Sequence, residues 1–127
     1  MGTHHGPYTE GGCTIFVKLR QFDPLDTKRV VIDTRSVPWQ PGDDGRAFLA
    51  LHEFGSECVR LERWAPGAQV AAHDHPGGEE VVVLDGAFED EHGSYPAGTW
   101  IREPHGSSHS PSTREGCLLY VKRGHLA

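Results

Sequence analysis

Between Pro66 and Gly86 the chain reads PGAQVAAHDHPGGEEVVVLDG. Two histidines, His73 and His75, stand two apart, and Glu79 follows four residues later. Side chains on a strand alternate faces, so His73 and His75 point one way and Asp74 the other. Pro76-Gly77-Gly78 turns the chain, and Glu79 opens the next apolar run facing back toward the imidazoles. Two imidazoles and a carboxylate suit a divalent first-row metal and leave coordination positions free. The alternative is a set of hydrogen-bonded polar core groups, which is costly to bury without a metal.

A second block supplies a fourth member. GTWIREPHGSSH spans 98–109. A strand, a tight turn and another strand would return His109 over the same interior. His105, in that turn, reads as a surface residue or a neighbour of the site. His4, His52, His92 and His125 read as surface or loop residues. Phe88, Tyr95 and Trp100 read as core aromatics, with the barrel lining as the other option.

The elements that must position these groups are short strands. CTIFVKL (13–19), RVVID (29–33), RAFLALHEF (46–54), ECVRLERW (57–64), EVVVLDG (80–86), WIR (100–102) and CLLYVKR (117–123) are rich in β-branched and apolar residues. Gly, Pro and Asp clusters punctuate them, and no stretch keeps a 3.6-residue apolar period. This pattern predicts an all-β sandwich or barrel.

The bulk properties narrow the partners. A chain of 127 residues is expected to form one domain with its own core. The net charge of −6 argues against nucleic acid as a main partner. With no apolar run of about 18 residues, no membrane span is expected. The opening MGTHHGPYTEGGC lacks the apolar stretch of a secretory signal. Together with three scattered cysteines, Cys13, Cys58 and Cys117, this points to reduced thiols and a cytoplasmic protein.

One partial repeat is present. GTHHGPYTEGGCTIFVK (2–18) aligns with GSSHSPSTREGCLLYVK (106–122) at a constant offset, pairing His5 with His109 and Cys13 with Cys117. The chain therefore reads as the tail of one unit followed by a whole second unit. His5 lacks three companion ligands and reads as vestigial.

The two histidine blocks resemble the cupin superfamily. Its first motif, G-x5-H-x-H-x3-E-x6-G, is met by Gly67, His73, His75, Glu79 and Gly86. Its second, G-x5-P-x-G-x2-H-x3-N, is met by Gly98, Pro104, Gly106 and His109, with Thr113 in place of the asparagine. Within that superfamily the chain resembles the cupin-like domain of ChrR-type anti-sigma factors. The stretches carrying this are HPGGEEVVVLDGAFEDEHGSYPAGTW, PHGSSHSP, EGCLLYVK and GCTIFVKLRQFDP. The resemblance implies a double-stranded β-helix (jelly-roll) barrel over 1–127. In it, 1–20 resembles the tail of a lost preceding cupin repeat and 36–127 the complete unit. It also implies one divalent transition metal (Fe, Mn, Zn or Ni) held inside by His73, His75, Glu79 and His109. The helical zinc domain that grips a sigma factor in those relatives has no counterpart in this sequence, so an anti-sigma role is not carried over.

Three functions fit these residues. The first is a metal-dependent dioxygenase-type enzyme acting on a small chelating carbonyl compound. Six-coordinate iron or manganese with these ligands keeps two positions open. The second is a non-catalytic zinc sensor or regulatory module, with four ligands closing a tetrahedron. The third is a protein that binds a small ligand in the barrel. The N-terminal strand CTIFVKLRQF would be an exposed apolar edge if left alone. It must close its own barrel or cross to a second chain, which predicts a homodimer, with exchange of that strand as one form.

Overall fold

The computed structural model describes residues 4–126, and Gly2 of the repeat lies outside them. Among these residues there is no helix. Nine strands follow in order: β1 (Gln40–Pro41), β2 (Arg46–Phe54), β3 (Glu57–Trp64), β4 (His73–Asp74), β5 (Glu79–Asp90), β6 (Gly93–Pro96), β7 (Trp100–Glu103), β8 (Ser108–His109) and β9 (Cys117–Arg123). The larger sheet runs β1-β2-β3-β9-β5-β6, with β7 also paired to β5. A two-stranded sheet, β4-β8, completes the all-β architecture. Every strand pair is antiparallel.

Strand alternation sorts the sheet into two faces. The register sets Leu119 opposite Glu62 and Val83, and Val121 opposite Arg60 and Val81. These residues share the inner face. Trp64, Ala68, Val81, Val83, Phe88, Cys117, Leu119 and Val121 form the core cluster there. Burial pushes the Cys117 thiol up to about 11, so it packs as a small protonated hydrophobe.

Turn chemistry sets the strand lengths. Gly86 has φ +72°, and a Cβ there would lie 2.0 Å from the Gly116 carbonyl oxygen. Only glycine lets β5 approach the turn before β9 so closely. Thr113 holds the same corner. Its buried hydroxyl donates to the Ala87 carbonyl at 2.6 Å and accepts from the Gly116 N–H at 3.0 Å. That is the structural work done at the position where the motif has asparagine.

Two expected strands are absent. Residues 13–19 and 29–33 form no strand. Their composition favours β-structure, but a strand needs a partner backbone. Among the described residues, the backbone bonds of the first 39 are two local turns, Asp26 N–H to Asp23 and Ser36 N–H to Asp33. The segment instead touches the outer sheet face through side chains. Phe16 and Tyr120 have ring centroids 5.3 Å apart, and Lys18 pairs with Glu80. Gln21 accepts from the buried Lys122 ammonium at 2.7 Å.

Candidate metal centre

Strands β4 and β8 exist to bring two histidines face to face. Their register places His73 directly opposite His109. The turn after β4 is then locked to the turn before β8. The His75 N–H donates to the Ser107 carbonyl at 2.9 Å, and the His75 carbonyl accepts from Gly78 and Gly106 N–H groups at 2.9 and 3.1 Å. His75 thus joins the pair. The three imidazole centroids lie 4.6–5.0 Å apart, all at steep mutual angles. One nitrogen from each sits within 4.8 Å of the others.

The hydrogen bonds fix which nitrogen that is. His73 Nδ1 lies 3.0 Å from the Ala71 carbonyl, which only accepts. The Ser107 hydroxyl gives its proton to the Pro104 carbonyl at 2.7 Å, so it accepts from His75 Nδ1 at 3.0 Å. His109 Nδ1 lies 3.2 Å from Asp90 Oδ2. In the neutral imidazoles these partners place the hydrogen on Nδ1, which leaves each Nε2 with the lone pair. His75 Nε2 is buried with no hydrogen-bond partner among the described residues. Burial, partly offset by Glu79, lowers the His75 pKa and favours its neutral, ligating form.

Asp90 completes a carboxylate–histidine pair of the kind that orients metal ligands. Burial pushes its pKa up, but hydrogen bonds from the His92 N–H, His109 and Tyr95 outweigh this and hold it below its ordinary 3.8. Tyr95 donates to Asp90 Oδ1 at 3.0 Å. Asp90, Glu103 and His109 also form a second close group of potential ligands.

Glu79 opens β5, buried beside two of the three histidines. Its Oε1 is 3.5 Å from His75 Nε2 and 4.0 Å from His109 Nε2. Its Oε2 accepts from Arg123 Nε at 2.6 Å. Arg123 also reaches Glu62 at 3.5 Å, and Glu62 accepts from Arg60 at 2.8 Å and Trp64 Nε1 at 2.9 Å. The close three-histidine group does not include Glu79; the carboxylate stands at its side, aimed by Arg123. The donor set fits a divalent metal: three oriented imidazole lone pairs and one free carboxylate oxygen.

The remaining histidines fall elsewhere. His105 Nδ1 accepts from the Gly77 N–H at 2.8 Å and braces the turn outside the cluster. His4, His5 and His92 are exposed. His52 and His125 depart from the surface reading: His52 Nε2 is 2.7 Å from Asp26, and His125, largely buried, is 3.1 Å from Glu80. Trp100 is 54 % exposed, on the outer face rather than in the barrel. Phe88 is core, 6.0 Å between centroids from His109.

Residues 27–127 match the family model described as the ChrR cupin-like domain. The chain belongs to that family. Comparison with curated proteins finds no match. Among solved structures, the anti-sigma ChrR of Rhodobacter sphaeroides, in its complex with SigE, is similar at 27 % identity and TM-score 0.63. The match covers 71 % of this chain and 50 % of ChrR, so this cupin spans about half of that protein. An RmlC-like cupin from Shewanella frigidimarina shares the fold at TM-score 0.67 and 15 % identity, over 76 % of this chain and 90 % of the other. An acetylacetone dioxygenase from Acinetobacter johnsonii shares it at TM-score 0.62 and 18 % identity, over 80 % of each chain.

Proposed function

We propose that this cupin is a metal-dependent enzyme of the dioxygenase type acting on a small chelating carbonyl compound. The observation that carries the reading is the convergence of three Nε2 lone pairs, each fixed by a hydrogen bond at Nδ1. His73, His75 and His109 would hold the metal, with Glu79 Oε1 as the fourth ligand. The metal would supply Lewis-acid polarisation of a carbonyl oxygen and a place for dioxygen. Arg123 keeps Glu79 Oε2 occupied and so directs Oε1 inward. Val81, Phe88, Leu119 and Val121 pack around the small space beside His73, His109 and Glu79 and make the metal's surroundings apolar. The fold shared with an acetylacetone dioxygenase supports the substrate class. Protein reconstituted with Fe(II) should consume dioxygen when given a β-dicarbonyl compound, and the His75→Ala variant should not. Stoichiometric iron with no uptake across a panel of such compounds would contradict the reading.

A second reading, a non-catalytic zinc module, is favoured by the similarity to the anti-sigma ChrR. Stoichiometric zinc that resists exchange, with no dioxygen chemistry after iron loading, would select it.

The reading includes a homodimer. Ile15, Val17 and Leu19 are 71 %, 57 % and 79 % exposed on a segment whose backbone finds no partner strand among the described residues. The repeat supports a second copy as the cover. Residues 12–18 (GCTIFVK) echo 116–122 (GCLLYVK), and β9 lies between two strand neighbours. A sequence of that kind is suited to being enclosed by sheet.

A further inference from the structure

We propose that Glu62 is a positioning residue for the metal centre: by holding Arg123, it keeps one oxygen of Glu79 free for the metal. The inference rests on the metal reading for the use of that oxygen, and on the geometry alone for how the oxygen is kept free.

Four charged side chains meet on neighbouring strands. Arg60 and Glu62 stand on β3, Arg123 on β9 and Glu79 on β5, and the sheet runs β3-β9-β5. Arg123 is the register partner of Glu79. Glu62 and Glu79 are 1 % and 3 % exposed, and carboxylates buried that deeply need partners. Glu62 is itself held firmly. Its Oε2 accepts from Trp64 Nε1 at 2.9 Å, and its Oε1 accepts from Arg60 Nε at 2.8 Å and Nη2 at 2.6 Å. Trp64 belongs to the core and Arg60 stacks on the Phe48 ring at 4.4 Å, which fixes the carboxylate between them.

Arg123 spans both carboxylates. Its Nε donates to Glu79 Oε2 at 2.6 Å and its Nη2 to Glu62 Oε1 at 3.5 Å. Those two N–H groups lie on the same edge of the guanidinium, the edge that grips a carboxylate through two parallel bonds. Here the edge is divided between two carboxylates. Glu79 Oε1 is therefore left to face His75 Nε2 at 3.5 Å and His109 Nε2 at 4.0 Å. Without the charge at residue 62, the same edge would close on Glu79 and take both of its oxygens. The metal would lose a donor although no ligand had been changed. A glutamine at 62 has one oxygen to offer, to Trp64 or to the arginines but not to both.

The test uses the whole chain in four forms: unaltered, Glu62→Gln, Arg123→Gln and the two together. Zinc affinity is read by competition with a chelating dye. Co(II) then replaces zinc, and its visible absorption reports the donor set. Glu62→Gln should weaken zinc about tenfold and change the Co(II) spectrum. The double variant should bind zinc within about twofold of Arg123→Gln, because Glu62 acts through Arg123. The paired change Arg60→Gln with Glu62→Gln removes one charge of each sign, should give the same loss as Glu62→Gln, and replaces that variant if it does not fold. A crystal structure of the metal-free Glu62→Gln protein, or of the paired variant in its place, should show Arg123 Nη2 on Glu79 Oε1. An unchanged zinc affinity and spectrum, or losses that add in the double variant, would overturn the inference and leave the metal reading standing. If the unaltered protein holds no metal, the metal reading fails and the crystal structure decides: Arg123 turned onto both oxygens of Glu79 supports the positioning role, and an unmoved Arg123 overturns it.

Discussion

At the residue scale, the groups around the histidines matter as much as the histidines. Asp90, Ser107 and the Ala71 carbonyl choose the tautomers, and Arg123 chooses the oxygen that Glu79 presents. Replacing Asp90 by Asn removes the charge facing His109 Nδ1 while keeping the size of the side chain. Metal affinity, measured by competition with a chelating dye, should fall about ten- to a hundredfold. An unchanged affinity would show that Asp90 only fills space. His73, His75, Glu79 and His109 were legible as a group from residue type and spacing, although β4 ends at Asp74 and His75 is set by the hydrogen-bonded turn after it rather than by strand alternation. Asp90 was not, because it sits in the acidic run FEDEHGS and nothing local separates it from its neighbours. Arg123 left a faint trace. It stands two residues beyond Val121 and four beyond Leu119 on β9, so it is a charge in a core-facing phase.

At the element scale, β2, β3, β7 and β9 follow the sequence pattern closely, β5 extends beyond its apolar run to Asp90, and β6 forms in a stretch with no strand pattern. Its second half was less visible because residues 85–90, DGAFED, mix acids with a glycine. That half is held by pairing with β6 and β9 rather than by propensity. The N-terminal segments illustrate the reverse. CTIFVKL and RVVID carry strand composition, yet form no strand because, among the described residues, no backbone pairs with theirs. A second chain would supply one. The intact protein should therefore scatter light as a dimer, near twice its 14.0 kDa. Changing Ile15, Val17 and Leu19 together to Lys should give a monomer, while Phe16, Lys18 and Gln21 keep their contacts with the sheet. A monomeric intact protein, or a dimer untouched by these changes, would contradict the exchange.

At the scale of the whole molecule, the two faces of one sheet do different work. The inner face joins an apolar core to a small polar space lined by His73, Glu79, His109, Arg46 and Arg123. The outer face carries Glu80, Tyr120 and the buried Lys122 beneath the N-terminal segment. The barrel thus separates chemistry from assembly. The central claim is that the three histidines form a metal site, and metal stoichiometry tests it most directly. Elemental analysis of the protein as purified, and again after incubation with Fe(II) or Zn(II), should find about one equivalent of a divalent transition metal per chain. His75→Ala, folded by its thermal transition, should hold none. Equal metal in that variant, or an intact protein that stays empty under both conditions, would contradict the account.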